Sequence, residues 1–278
     1  MDNKIILAAH RGWRGKYPEN TMLGFREVLK IDIDAIETDV HMTKDHHIVI
    51  CHDMNLKRTT DTAGNICNMT LEEVRAADAG IKRGEEFKGE KVPLLEELLE
   101  LLADRPDIKL MLELKDYPEE IGDFAYASAG LSLTLCKKYG VWGKDRLTVL
   151  SFSAGNVAWL RQRYSKEDFS IHGFYPKYLM RGYEKDDPYK YYDEVCIFNK
   201  GYKDPAGFPV DYDSLVADKK RFEEFELMGI TPCVHYGMNK DEDVWAKSYE
   251  YGAKVFTFDY PDFGGELLDK IGARKLKK

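Results

Sequence analysis

Residues 109–164, KLMLELKDYPEEIGDFAYASAGLSLTLCKKYGVWGKDRLTVLSFSAGNVAWLRQRY, carry the rhythm that decides the fold. Lys109 to Leu114 is a short apolar run fit for a buried strand. Ile121 to Tyr139 has the length and apolar spacing of a helix. Leu147 to Phe152 repeats the strand and Ala154 to Tyr164 the helix. Strands separated by helices need crossover connections, so they lie parallel in one sheet.

The same alternation extends in both directions. Upstream, Ile5 to Ala9 reads as a first buried strand, and Asn20-Thr21 can cap a helix carrying Leu23, Phe25, Val28 and Leu29. Ala35 to Val40 and Ile48 to His52 are further strands, with Lys44-Asp45-His46 as a tight turn between them. Leu94 to Ala103 is strongly helical. Downstream come strands at Phe169 to Phe174, Glu194 to Phe198, Ile230 to His235 and Lys254 to Phe258. Helices are expected at Tyr212 to Met228, Lys240 to Tyr251 and Phe263 to Ile271. About eight strand–helix units in one chain favour a closed TIM (β/α)8 barrel. An open doubly wound sheet is the alternative, but no G-x-G-x-x-G follows the first strand. We read residues 1–278 as a single barrel domain. The looser, Thr-, Gly- and Lys-rich stretch 54–92 is a small insertion within it, after the strand ending at His52-Asp53. Residues 175–212, crowded with Tyr, Lys, Asp and Pro, should form a long loop or an extra helix.

Composition limits the function. The chain has 278 residues, 44% hydrophobic and 32% charged, enough for a large core. A formal net charge of −8 argues against nucleic acid or an anionic membrane surface as partner. It leaves room for an anionic substrate, because a bound cation dominates its own site. The five cysteines, Cys51, Cys67, Cys136, Cys196 and Cys233, have no zinc spacing and read as free thiols of a reducing compartment. The N-terminal apolar run is too short for a signal peptide, and no stretch approaches the length that crosses a bilayer. These features point to a cytoplasmic protein without stable membrane association. The sequence is silent on oligomeric state.

Polar residues stand where the early strands should end: His10-Arg11, Glu37-Thr38-Asp39, His52-Asp53 and Glu113-Leu114-Lys115. The carboxyl ends of barrel strands share one face, where catalytic groups gather. Glu37 and Asp39, two apart on a strand, project the same way, and Glu113 reaches the same place from a nearby strand. Three clustered carboxylates repel unless a cation sits among them, and oxygen ligands suit Mg²⁺, Ca²⁺ or Mn²⁺ better than Zn²⁺. His10 and His52 can take and give protons near neutral pH. Arg11 and Lys115 supply the positive charge that grips a phosphate. Ordinary salt bridges are the competing reading for the acids, and satisfied core histidines for His10 and His52. Of the other histidines, His41 and His235 are wall or supporting residues at most.

The strings HRG at His10, PENT at Pro18, ETDV at Glu37, TKD at Thr43, HD at His52, RTTD at Arg58, PLLEE at Pro93, LELK at Leu112 and SFS at Ser151 resemble the glycerophosphodiester phosphodiesterase family. Weaker agreement continues through Gly229-Ile230 and Phe258 to Asp262. The resemblance implies a TIM barrel with a small insertion, and one divalent cation (Mg²⁺ or Ca²⁺, with Mn²⁺ possible) on Glu37, Asp39 and Glu113. It also implies acid–base work by His10 and His52, phosphate contacts from Arg11 and Lys115, and a supporting Glu19. The reaction it implies splits small glycerophosphodiesters into sn-glycerol 3-phosphate and an alcohol. Two departures stand out. His46 replaces the usual Gly of the hairpin turn. Val234 to Asn239 replaces a W-T-V-N string, so His235 or Tyr236 should line that wall. The rivals are a lysophospholipase D-type phosphodiesterase on the same barrel, a non-catalytic phosphate-binding barrel, and a sugar-phosphate isomerase or lyase. The last would want a Gly-rich phosphate loop near Phe258, which is missing.

Overall fold

The computed structural model describes residues 4–198 and 216–276. Among these described residues nine strands run in chain order: β1 (Ile6–His10), β2 (Ala35–Met42), β3 (Ile48–Ile50), β4 (Lys109–Leu114), β5 (Leu147–Leu150), β6 (Ser170–Tyr175), β7 (Glu194–Ile197), β8 (Thr231–His235) and β9 (Val255–Phe258). The helices are α1 (Met22–Val28), α2 (Leu71–Ala76), α3 (Leu95–Ala103), α4 (Pro118–Ile121), α5 (Asp123–Lys138), α6 (Ala154–Arg163), α7 (Lys219–Leu227), α8 (Glu242–Glu250) and α9 (Pro261–Lys270).

All strands but β3 are parallel, and β1 pairs with both β2 and β9, which closes the ring. The TIM barrel expected from the alternation is therefore present. Its strands are near-continuous apolar runs because helices cover their outer faces. The helices form for local reasons. Thr21 caps α1 by accepting from the Gly24 amide. In α3, Leu95, Leu98, Leu99 and Leu102 are buried at helical spacing, while Glu96 and Glu97 are half-buried and Glu100 is exposed.

Several boundaries differ from expectation. The helix read as Ile121 to Tyr139 is α5, Asp123–Lys138, while Ile121 ends the short α4, from which Gly122 at φ +59° separates it. The helix expected from Tyr212 starts only at Lys219, and positions 212–215 lie outside the described residues. So does the part of the irregular stretch from 199 on; between Tyr175 and β7 its described part holds two short 3₁₀ turns and no α-helix.

The main correction concerns β3. It runs antiparallel to β2, with Val40 opposite Ile50, so it is a hairpin arm and not a barrel strand. The gap from Thr43 to His47 is too short for a crossover. The turn places His46 at φ +64°, where glycine is the cheap residue. Residues 54–92 follow this arm. Leu56, Ile66, Val74, Ala77 and Val92 form their own apolar cluster against Val49 and Cys51.

The barrel interior carries a polar layer. Glu194 accepts from Lys109 Nζ at 3.1 Å and from Thr148 Oγ1 at 3.2 Å, and His172 Nδ1 lies 3.3 Å away. Burial opposes ionisation of Glu194, yet Lys109 and His172 hold its carboxyl down at about 2. All five cysteines are free. Among the described residues no helix is long and apolar enough to cross a membrane.

Candidate active site

Strand register assembles the site. His10 of β1 pairs with Glu37 of β2, and Asp39 of β2 pairs with Glu113 of β4. One oxygen from each of Glu37, Asp39 and Glu113 falls within 4.8 Å of the others, and all three residues are buried. Burial, then Asp39 and Glu113, push the Glu37 carboxyl well above its ordinary range. Burial works against Asp39 too, but Arg11, His52 and Lys115 hold it ionised. Asp39 Oδ2 accepts from Asn20 Nδ2 at 2.9 Å, while Asp39 Oδ1 is buried without a hydrogen-bond partner. A carboxylate oxygen with no hydrogen bond, 3.8 Å from the Lys115 ammonium and close to two further carboxylates, fits a hard divalent cation. The charge balance agrees. Around the mouth, Glu19, Glu37, Asp39, Asp53, Glu113 and Asp259 face Arg11, Arg14, Arg58 and Lys115, which leaves two negative charges uncompensated when all are ionised.

The two histidines flank this cluster in matching ways. His10 Nδ1 lies 2.5 Å from Asp259 Oδ1, and His52 Nδ1 lies 2.5 Å from Asp53 Oδ1. Each aspartate fixes its ring and leaves Nε2 toward the site. His10 Nε2 is 3.7 Å from Glu37 Oε2, and His52 Nε2 is 3.1 Å from Lys115 Nζ. Burial lowers both imidazoles, His10 well below 6.5, with His235 and Arg11 adding to the effect; for His52 the second cause is Lys115.

His52 arrives by a route other than the one expected. It does not end a parallel strand. The hairpin carries the chain out along β2 and back along β3, and the Cys51 amide then donates to the Asp39 carbonyl at 3.0 Å. That returns His52 to the level of the carboxylates. His41 supports it: His41 Nδ1 pairs with Asp116 at 2.6 Å, and Nε2 faces the His52 carbonyl at 3.3 Å.

The HRG turn is strained. Arg11 sits at φ +54° and Gly12 at φ +77°. A Cβ on Gly12 would lie 3.0 Å from the Phe25 ring. In return the Arg11 amide donates to Glu37, and the guanidinium pairs with Glu19 at 2.9 Å and Asp39 at 3.2 Å. Lys115 Nζ donates to Glu113 at 2.9 Å. Glu19 stands apart from the acid cluster and gathers arginines: Arg11, Arg14 and Arg58 all bond to it.

The far side of the mouth is apolar. Phe152 stacks on Phe174 at 3.5 Å, and Phe198 lies nearly parallel to Phe174 at 6.2 Å. Of the two wall candidates, His235 faces His10 with ring centroids 4.1 Å apart. Tyr236 points away, bonded to Ser248 of α8 and packed on Trp245.

All seven residues singled out in the sequence thus meet in one mouth. Sequence reasoning missed Asp259 as the partner of His10, Asn20 as a ligand of Asp39, and the arginine hub of Arg14 and Arg58. Asp259 had one signal: two positions past Thr257, it continues the inward-facing alternation of β9 beyond the strand's last residue.

Comparison with known proteins bears on this arrangement. Residues 10–263 match the model of the glycerophosphoryl diester phosphodiesterase family. The chain is 44% identical over 112 residues to a glycerophosphodiester phosphodiesterase of Caldanaerobacter subterraneus, a match covering 40% of this chain and 46% of that one. It is 44% identical over 153 residues to one of Bacillus altitudinis, covering 55% and 60%. These matches span about half the length of the curated relatives. A phosphodiesterase of Oleispira antarctica, solved with the product sn-glycerol-3-phosphate, shares the fold at TM-score 0.71 and 24% identity, over 94% of this chain and 96% of that one.

Proposed function

Because the chain belongs to the glycerophosphoryl diester phosphodiesterase family, we propose that it hydrolyses small glycerophosphodiesters to sn-glycerol 3-phosphate and an alcohol. The observation that carries this reading is the matched pair of aspartate-held histidines flanking three carboxylates. In it, residues 54–92 are an insertion within one barrel domain.

Glu37, Asp39 and Glu113 hold one divalent cation, Mg²⁺ or Ca²⁺. When bound, the ion withdraws charge from the phosphodiester and neutralises the excess negative charge of the mouth. Arg11 and Lys115 grip the remaining phosphoryl oxygens. His10, its Nδ1 proton held by Asp259, offers the Nε2 lone pair as base to the attacking hydroxyl. That hydroxyl belongs either to water or to the glycerol carbon next to the ester. His52 protonates the leaving alkoxide. Lys115, 3.1 Å from its Nε2, makes an imidazolium there release its proton readily.

The test is release of glycerol 3-phosphate from glycerophosphocholine or glycerophosphoethanolamine, with Mg²⁺ or Ca²⁺ and then with excess chelator. The expected result is turnover that chelation abolishes. Activity surviving complete chelation would sink the metal assignment, and full activity in both His10→Ala and His52→Ala would sink the acid–base assignment.

A further inference from the structure

A third imidazole adjoins the first of the two pairs. One ligand atom from each of His10, His235 and Asp259 falls within 4.8 Å of the others. His235 Nδ1 faces the Thr257 carbonyl at 3.0 Å. A carbonyl only accepts, so Nδ1 carries the ring proton and Nε2 keeps its lone pair. Metal-ligating histidines are oriented in this way, the second nitrogen donating to a backbone carbonyl. Arg14 holds Asp259 Oδ2 at 3.2 Å, which leaves Oδ1, on the His10 side, as the ligand oxygen. His235 is partly exposed while His10 and Asp259 are buried, so an ion can enter from the mouth.

We propose that His10, His235 and Asp259 form a second metal site, which takes a borderline transition ion such as Zn²⁺ or Co²⁺ and switches the enzyme off. Two imidazoles and one carboxylate suit such ions, whereas the all-oxygen site of Glu37, Asp39 and Glu113 suits Mg²⁺ or Ca²⁺. The ion takes the place of the proton between His10 Nδ1 and Asp259. That proton moves to Nε2, the nitrogen that hydrolysis needs open, so no base remains. A similar group deeper in the barrel, His172, Glu194 and Cys233, is set apart because both Glu194 oxygens are already engaged, Oε1 by Lys109 and Thr148 and Oε2 by His172. The off-switch rests on the phosphodiesterase reading, while the metal site itself does not.

The test is equilibrium dialysis of the metal-free full chain against Ca²⁺ and, separately, against Co²⁺, with the visible absorption of Co²⁺ as a report of nitrogen ligation. The expected result is one equivalent of Ca²⁺ and two of Co²⁺. His235→Phe should weaken the second Co²⁺ by more than the roughly 100-fold that loss of a mere supporting partner costs. His235→Gln should do the same, and both variants should keep the Ca²⁺ equivalent, which shows that they fold. A single Co²⁺ equivalent in the unmodified chain, or a second one indifferent to both substitutions, overturns the proposal. Missing Ca²⁺ with two Co²⁺ intact would count against the oxygen site instead.

Discussion

His10–Asp259 and His52–Asp53 present the same chemistry through opposite constructions. Both rings are held through Nδ1 at 2.5 Å, and their Nε2 atoms face Glu37 in the case of His10 and the Lys115 ammonium in the case of His52. The first pair joins residues 249 apart in sequence, across the seam where β9 closes on β1, and its aspartate side chain is fully buried. The second joins chain neighbours on the loop after a hairpin, its aspartate 31% exposed and tied to the insertion by Arg58. The difference teaches that one half of the proposed acid–base pair is anchored in the closed barrel, while the other is anchored only through the loop and its arginine clamp.

The comparison can be broken most severely at the rings. His10→Asn and His52→Asn should each lower kcat by about 10²- to 10⁴-fold, the usual worth of a positioned acid or base. Steady-state kinetics check this, and a loss under tenfold in either would remove that ring from the chemistry. The aspartates should then separate the pairs. Asp259→Asn removes the fully buried charge that His10 pairs with, leaving Arg14 on Glu19 alone, and should cost on the order of 3 kcal/mol of stability along with at least tenfold in kcat. Asp53→Asn should cost a similar factor in kcat with little change in the melting curve. Equal destabilisation by both would erase the contrast.

The pH profile sharpens it further. Burial lowers both imidazoles, His10 the more. A base with a lowered value stays neutral as pH falls through 6.5, so the acidic limb of kcat/KM should lie below 6.5. Asp259 stabilises the imidazolium of His10, so Asp259→Asn should move that limb lower still. A limb at or above 6.5 would contradict the assignment of His10 as base. The smallest effect lies in the hairpin that delivers His52. His46→Gly relieves a left-handed residue and should stabilise the fold by about 1 kcal/mol, read from denaturant unfolding, with kcat unchanged.

The same contrast explains what the sequence could reveal. The barrel was legible because each strand is a short apolar run and each crossover a helix of recognisable length. Glu37, Asp39 and Glu113 were legible because charge on a buried strand is costly and period-two spacing aims it. For His52 the apolar run before it suggests the end of a barrel strand, whereas the structure puts it on the loop after a hairpin arm. Yet the short gap from Thr43 to His47 already required an antiparallel return. Asp259 was missed because its partner lies across the closure of the ring, and no local pattern reports a contact that only the closed barrel creates.

The central claim is that the two rings do different jobs in one bond cleavage. Glycerol phosphodiesters with an alkyl alcohol and with a nitrophenol leaving group test it directly, because nitrophenolate leaves without a proton. The account predicts that His52→Asn regains most of its lost activity on the nitrophenyl diester, while His10→Asn remains impaired on both substrates. Equal impairment of both variants on both substrates would contradict it.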